Sequence, residues 1–324
     1  MHVTLTETLA PATTVTPQER RRRFISAYWL RPENALWMIL RSDALSKAAM
    51  RGPCIDLCCG DGVFSFLHAG GRFAPEFDVF HGVGRLDQID SENADIFDYV
   101  DDEYQPSITT PPAYRIECGT DHKDNLIAKA ARLDLYNRLV RTDHNDALPF
   151  DGDSFETVYC NAVYWIERID TFLGEIRRVT RPGGTVIFQV KLDHIHDCTL
   201  RRHRDQLGDR WLDIIDRGRA ESWPSLCDRS TWERRFKSAG LEIVRETPFV
   251  TRTHAHIWDI GLRPIAPMLI KTMAAIHPHL RREIKRDWVD LFCRLLEPFC
   301  KPDLDLVTAD GEPIEVQYEL TPKT

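Results

Sequence analysis

The sequence predicts an α/β chain organised on a doubly wound sheet, and three observations carry that prediction. The short apolar run Cys54 to Leu57 passes into a glycine-bearing turn, and Val63, Phe64, Phe66 and Leu67 then follow at helical spacing. From there to Val190, strand-like and helix-like stretches alternate. Near its end, from Ile314 to Leu320, the chain alternates at the period of a strand.

Residues 1–17 are Thr-rich, lack an apolar signal-like core and are expected to form a flexible N-terminus. Residues 18–51 read as two cap helices. Phe24, Ile25, Tyr28 and Trp29 share a face of the first, and Pro32 suits the first turn of the second. The remainder, 52–324, reads as one domain with insertions at about 72–113 and 258–301. The first insertion is rich in acids (Asp78, Asp87, Asp90, Asp95, Asp98, Asp101 and Asp102) and reads as a loop with a short helix near the site, its carboxylates solvated rather than gathered on a metal. Tyr114 to Asp121 is a second strand ending in an acid, and Asn125 to Leu135 is a helix. Arg138 to Thr142 is a third strand running into Asp143, and Val158 to Cys160 is a fourth. Ile169 to Val179 has helical spacing and is stopped by Arg181-Pro182-Gly183-Gly184, after which Thr185 to Val190 is a buried fifth strand. Leu192 to Trp223 reads as polar and helical, Ser230 to Ala239 as a helix stopped by Gly240, and Leu241 to Val244 as a sixth strand. Trp258 to Pro298 reads as mostly helical, with Pro264 and Pro267 near its start.

Bulk properties narrow the function. With 42 Lys and Arg against 50 Asp and Glu, the net charge of −8 disfavours a dedicated nucleic-acid binder, and Arg20 to Arg23 reads as a solvated helix face. Nine cysteines without a CxxC pair or a regular framework read as reduced thiols in a cytoplasmic protein. No apolar run is long enough to span a bilayer.

The turn Asp56-Leu57-Cys58-Cys59-Gly60-Asp61-Gly62 resembles the first motif of class I S-adenosylmethionine (SAM)-dependent methyltransferases, Asp/Glu-x-Gly-x-Gly-x-Gly. Asp56, Gly60 and Gly62 match it, and Cys58 stands where the first glycine is usual. Leu148-Pro149-Phe150 with Ser154-Phe155 and Val158 resembles the LPF…SF signature of the small-molecule members (the type 11 and 25 domains), with Glu156 in place of the usual Asp. Arg181-Pro182-Gly183-Gly184 before an apolar strand is again similar to that family. The resemblance covers about Pro53 to Val190. It implies a seven-stranded Rossmann-like sheet whose last strand, here the alternating C-terminal stretch, is antiparallel, with the helical insertions as lids.

What the resemblance implies for the site follows the strand ends, where such sheets take ligands. Gly60 and Gly62 let the backbone approach SAM, since glycine has no Cβ to hold it away. Asp56 would take the methionine ammonium, Asp121 the ribose hydroxyls, and Asp143 with His144 the adenine. Asn161 and Tyr164 would lie beneath the transferred methyl, and Cys58 lies in the cofactor turn. Asp87, after Gly82-Val83-Gly84, is a rival for the ribose; Asp121 is preferred because it ends a strand and leaves room for one helix and one strand before Asp143. His144 and Tyr164 are the candidate catalytic residues, with His194, His196, His254 and His256 as further base candidates. The two His-x-His pairs lack an evident third ligand, so no metal is expected. Tyr28, Trp29, Tyr164, Trp165, Trp258 and Arg263 are candidate substrate contacts, Arg263 for an anionic acceptor. The bland alternative for the Trp258 segment is a helix start with Asp259 capping, and Trp37 reads as core or as a ligand contact.

The expected function is methyl transfer from SAM to an O, N or C atom of a small molecule, in secondary metabolism or envelope precursor tailoring. S-adenosylhomocysteine (SAH) is the product. A non-catalytic methyltransferase-fold partner protein, or a SAM-using enzyme of another reaction type, is the alternative. The Asn-Pro-Pro-Tyr-like signature of amide and base N-methylation is absent, since Cys160-Asn161-Ala162-Val163-Tyr164-Trp165 stands after the fourth strand. A nicotinamide dehydrogenase does not fit the LPF string. The acceptor, the base and the oligomeric state, a homodimer among the options, stay open.

Overall fold

Short apolar runs become the strands of one central sheet, and amphipathic stretches become the helices that cover it. The computed structural model describes residues 8–9, 15–80, 104–216, 223–300 and 311–323. Asp87 and its Gly82-Val83-Gly84, with Asp90, Asp95, Asp98, Asp101 and Asp102, lie outside them. The strands of the sheet are β1 (Cys54–Leu57), β2 (Ile116–Asp121), β3 (Tyr136–Arg141), β4 (Phe155–Cys160), β5 (Thr180–Lys191), β6 (Leu241–Val250) and β7 (Glu315–Pro322). Their spatial order is β6-β7-β5-β4-β1-β2-β3. The pairs β3–β2, β2–β1, β1–β4 and β4–β5 are parallel, whereas β7 runs antiparallel to both β5 and β6. This is the Rossmann-like α/β sheet with a reversed last strand.

The helices that matter for the site are α1 (Pro17–Ala27), α2 (Pro32–Leu45), α3 (Val63–His68), α4 (Asp124–Ala131), α5 (Ile169–Val179), α6 (Arg229–Ser238), α7 (Arg252–His256), α8 (Ala266–Ala274) and α9 (Pro278–Leu296). The Thr16 hydroxyl caps α1 by accepting from Glu19 N, and Pro32 opens α2. Two apolar layers flank the sheet. On one face α5 (Phe172, Leu173, Ile176) and α6 (Trp232, Phe236) pack against Ile55, Val158, Phe188 and Tyr318. On the other, α1 to α3 and α9 form a second cluster that includes Phe24, Leu36, Phe64 and Phe292.

A buried polar ladder fastens α2 to that second face. Gln189 on β5 donates to Arg41 O and to Gln317 Oε1 on β7, each at 2.9 Å, and Gln317 donates to Ala44 O at 3.1 Å. These bonds satisfy groups that burial would otherwise penalise.

The differences from the sequence reading have local causes. Strand β6 continues to Val250 because it pairs with β7 along its whole length, through two register shifts. The stretch after β5 is not one helix: it divides into 3₁₀ turns (Asp193–Cys198, Leu200–His203) and short helices (Arg204–Leu207, Asp209–Asp216), the latter two separated by Gly208 at φ +78°. Ile257–Leu262 is a π-helical turn that continues from α7, so Asp259 does not cap a helix. At the first insertion, Arg72–Phe73 pairs antiparallel with Ile108–Thr110.

Candidate active site

The site begins at the carboxyl end of β1. Cys58, Gly60 and Gly62 all have left-handed backbone, with φ of 55°, 59° and 73°. Beyond β1 the chain is held to β2: Cys59 N donates to Thr120 O at 2.8 Å, and Gly60 N donates to Asp121 Oδ2 at 3.1 Å. The two glycines have different surroundings. A Cβ on Gly60 would meet nothing within 4 Å, so one side of the turn is open. A Cβ on Gly62 would press on Tyr136, Ala130 and Leu133 at 3.1 to 3.2 Å.

Asp56 lies beneath the turn, 2% exposed, where its Oδ2 accepts from Ser65 Oγ at 2.5 Å and from Tyr136 OH at 2.7 Å. Burial pushes its carboxyl up to about 6, against the pull of those two donors. The Cys58 thiol lies against Cys160 at the end of β4, and that contact, with burial, raises it well above the ordinary thiol range. Asp61 is the residue that sequence reasoning passed over. Its Oδ1 accepts from Val63 N at 3.0 Å, while its Oδ2 is buried and has no hydrogen-bond partner among the described residues. A carboxylate between two motif glycines was the available signal.

The ends of β2 and β4 meet this turn, and the end of β3 lies beside β2. Asp121 is 5% exposed, and its Oδ1 accepts from Lys123 N at 3.0 Å. Asp143 lies after β3 and accepts from Asn145 N at 2.9 Å, a bond that holds its carboxyl below the usual range. His144 is buried; its Nε2 shares a 2.8 Å hydrogen bond with Thr120 Oγ1, and burial lowers it to about 4. That imidazole is neutral at neutral pH and packs edge-on against Phe172. Asn161 is half-buried just past β4.

The connection between α1 and α2 approaches the turn. Tyr28 is buried, with Asp61, Tyr104 and Arg31 as its electrostatic neighbours. Trp29 is 1% exposed and donates to Asp78 Oδ2 at 3.1 Å, which makes it part of the packing between α1 and the first insertion. Glu33 pairs with Arg31 through Oε1 at 2.8 Å, and its Oε2 is buried without a partner among the described residues.

Next to this, at the ends of β4 and β5, lies an aromatic chamber built round three charged residues that the sequence reading did not single out. Lys191 ends β5 and Glu315 begins β7; they are direct cross-strand partners, with Nζ 2.9 Å from Oε1. Arg41, from α2, pairs with the same carboxylate: Nη2 lies 2.9 Å from Oε1 and Nε 3.1 Å from Oε2. Arg41 Nη2 also donates to Tyr164 OH at 3.3 Å. The two cations lower Glu315 although burial alone would raise it, and Arg41 is raised in turn by Glu315 despite burial. The Lys191 ammonium lies 4.4 Å from the Trp37 ring centre, 4.8 Å from Trp223, 5.0 Å from Tyr164 and 5.6 Å from Trp258. Of the expected substrate contacts, Tyr164 and Trp258 line this chamber, whereas Trp165 is 44% exposed beside it. Arg263 is buried and pairs with Asp259 Oδ1 at 2.9 Å, so its guanidinium already faces a carboxylate. Spacing along the chain could not reveal Arg41, Lys191 and Glu315 together, because they come from α2, β5 and β7.

The remaining histidines are placed differently from one another. His254 is buried, with Nδ1 accepting from Thr251 N at 3.0 Å and Nε2 donating to Phe299 O at 2.8 Å, so both nitrogens are engaged. His196 packs against Trp223. His194 Nε2 is buried without a hydrogen-bond partner among the described residues. No group of three or more His, Cys, Asp or Glu residues able to hold a metal occurs among the described residues. No described helix is long and apolar enough to cross a membrane.

The open side of Gly60 and the unpartnered Asp61 oxygen fit a ligand that carries a cation on a polar chain, as SAM does. Residues 110–188 match the family described as a methyltransferase domain. A malonyl-[acyl-carrier protein] O-methyltransferase of Halorhodospira halophila is 51% identical over 111 residues, which is 34% of this chain and 34% of that protein. The chain therefore spans about a third of the length of that curated relative. Among solved structures, one from Thermotoga maritima, described as a possible histamine N-methyltransferase, is 11% identical, covers 95% of this chain and 100% of its own, and has a TM-score of 0.46. The geranyl diphosphate C-methyltransferase of Streptomyces coelicolor, solved with Mg2+, geranyl diphosphate and SAH, is 12% identical, covers 89% and 79%, and has a TM-score of 0.40.

Proposed function

For a chain that carries a class I SAM-dependent methyltransferase domain, we propose transfer of a methyl group from SAM to an O, N or C atom of a small-molecule acceptor, in secondary metabolism or envelope precursor tailoring. The observation that carries this reading is the Asp121–Gly60 hydrogen bond, which sets a strand-end carboxylate against a glycine turn with an open side. Bound SAM supplies a methyl already activated by its sulfonium, which leaves the protein to position the partners and exclude water.

Asp121 is the proposed partner of the ribose hydroxyls. The Gly60 backbone lines the chain of the cofactor. Asp61 Oδ2, unpartnered among the described residues, takes the ammonium, and Asp56 stiffens the turn from below through Ser65 and Tyr136. Asp143, Asn161 and the His144 backbone border the adenine and methionine ends. His144 is proposed as a positioning group for Thr120 rather than as the base, since its imidazole is buried and hydrogen-bonded. Tyr164 faces the acceptor. The name of the Halorhodospira relative makes an oxygen acceptor the first to try. Cytoplasmic residence goes with the reading, since all nine cysteines are free.

The test is incubation of the purified protein with methyl-labelled SAM and candidate acceptors, followed by mass analysis of the products. A methylated product with SAH released in equal amount is expected. SAH binding without any label transfer would favour a non-catalytic partner protein, and a labelled product of another kind would favour a different SAM reaction.

A further inference from the structure

We infer that the aromatic chamber at the ends of β4, β5 and β7 recognises an acceptor with a carboxylate on an apolar or aromatic body, and that Lys191 is the residue that selects it. The inference rests on the methyl-transfer reading only in calling this ligand the acceptor.

The first observation is charge. Lys191 is 3% exposed, Arg41 3% and Glu315 0%, and the two cations share that one carboxylate. Among the described residues the cluster carries one positive charge in excess. The neighbouring ion pair, Arg263 with Asp259, adds one cation and one carboxylate. Charges buried in proteins are paired because an unpaired one is costly to desolvate. An anion is therefore the ligand that this cluster lacks. Amines and other cations are disfavoured by the same excess.

The second observation is shape. Four rings surround the Lys191 ammonium at 4.4 to 5.6 Å. Trp37 and Trp258 lie 4.8 Å apart, and Tyr164 and Trp223 meet edge to face at 6.0 Å. Rings at these distances present flat apolar walls that suit an apolar or aromatic ligand body. Inorganic phosphate or a sugar phosphate would make no use of those walls.

The third observation is position. Lys191 ends a parallel strand at the edge of the sheet where ligands bind, two strands from the glycine turn. Trp37 and Arg41 arrive from α2, which is hydrogen-bonded to α3, the helix after the turn, through Ser42 and His68. The chamber and the proposed cofactor position thus lie at the same edge of one sheet.

The test uses the full chain saturated with SAH, whose binding is measured first by calorimetry. Phenylacetate, indole-3-acetate and octanoate are then compared with their primary amides and the matching amines by ligand-observed NMR. The acids are expected to bind at least about tenfold more tightly than the amides, with the amines weakest. Lys191→Met is expected to abolish the preference with SAH affinity unchanged, and Lys191→Arg to retain it. Equal binding of acids and amides, no binding by any acid, or an unaltered preference in folded Lys191→Met overturns the inference. The wild-type panel decides by itself if Lys191→Met does not fold. Acid preference without SAH binding would leave this inference standing and remove the methyl-transfer reading, so the two fail separately.

Discussion

Asp121 Oδ2 accepts the Gly60 backbone N–H at 3.1 Å, which ties the end of β2 to the glycine turn after β1. The same carboxylate accepts Lys123 N through its other oxygen, at 3.0 Å. A side chain fixed through both oxygens has lost its rotamer freedom before a ligand arrives, so binding need not order it. The turn itself is braced from the opposite side by Tyr136.

Tyr136 is a wedge between β2 and the turn, and Gly119 makes room for it. A Cβ on Gly119 would lie 2.7 Å from Tyr136 Cε1 and 3.0 Å from Leu139 Cδ2. Gly119→Ala is therefore expected to destabilise the fold by roughly 1–3 kcal/mol, the range for overpacking a filled site. It should also loosen SAH binding, because the Tyr136 bond to Asp56 is disturbed. Urea unfolding checks the first part and calorimetry the second. A stability loss under about 0.5 kcal/mol, within the usual range for inconsequential changes, would show that the ring shifts freely.

Cys58 departs from the usual glycine at a residue whose φ is +55°. Left-handed backbone costs a side-chain-bearing residue about 1–2 kcal/mol, which is a physical reason for glycine at such a place. Cys58→Gly relieves that strain but gives up the packing of the thiol against Cys160 and frees the unfolded chain. The expected outcome is a stability change within about 1 kcal/mol, with SAH affinity altered less than about twofold. A large fall in affinity would mean that the thiol itself contacts the ligand.

Glu315 is the only carboxylate that the described residues place against Arg41 and Lys191. Glu315→Gln keeps the shape and leaves two buried cations without it. A loss of about 3–5 kcal/mol in unfolding free energy is expected, the range for breaking a buried pair. Adding Lys191→Met to Glu315→Gln should restore part of it, since one of the two cations is removed. A single variant as stable as wild type would contradict the buried-cluster description.

Acid should destabilise the protein, and the sign depends on His68. Burial lowers His68 to about 3 and His144 to about 4 from an ordinary 6.5, while Asp56 rises to about 6 from 3.8. The stabilisation from both histidines is complete above pH 6.5 and is lost as pH falls through that value toward their folded pKa. Asp56 acts oppositely, its contribution being complete below pH 3.8 and lost as pH rises through 6. Between pH 7 and pH 4.5 each histidine passes about two units below 6.5 and costs roughly 3 kcal/mol, while Asp56 returns roughly 2 kcal/mol; His144 and Asp56 nearly cancel, so His68 decides the outcome. Urea unfolding between pH 7 and pH 4.5 should show falling stability, and His68→Leu should flatten the slope. Stability that rises over that interval would mean that Asp56 outweighs both histidines.

The fold was legible because its signals are local. Cys54 to Leu57, the two glycines and the helix spacing after them lie within one short stretch, and the strands with acids or glycines at their ends follow in order. Asp121 and Asp143 were legible for the same reason, as acids at or just past strand ends. The acceptor side was not. By sequence Arg41 lies in the second cap helix, Lys191 just past the fifth strand and Glu315 within the alternating run, and only the β5–β7 register brings Lys191 opposite Glu315. Arg263 read as a cation for an anionic acceptor, and the structure pairs it with Asp259, four residues earlier. The π turn that places the two together has no signature in residue spacing.

The central claim is that the turn and Asp121 form a SAM site, and titration calorimetry with SAH tests it most directly. Wild-type protein is expected to bind one SAH per chain in the micromolar range, about −8 kcal/mol. Asp121→Ala is expected to weaken binding by about tenfold or more, since it removes a charged acceptor of hydrogen bonds. Absence of SAH binding by the folded wild type, or an Asp121→Ala variant with unchanged affinity, would contradict the account.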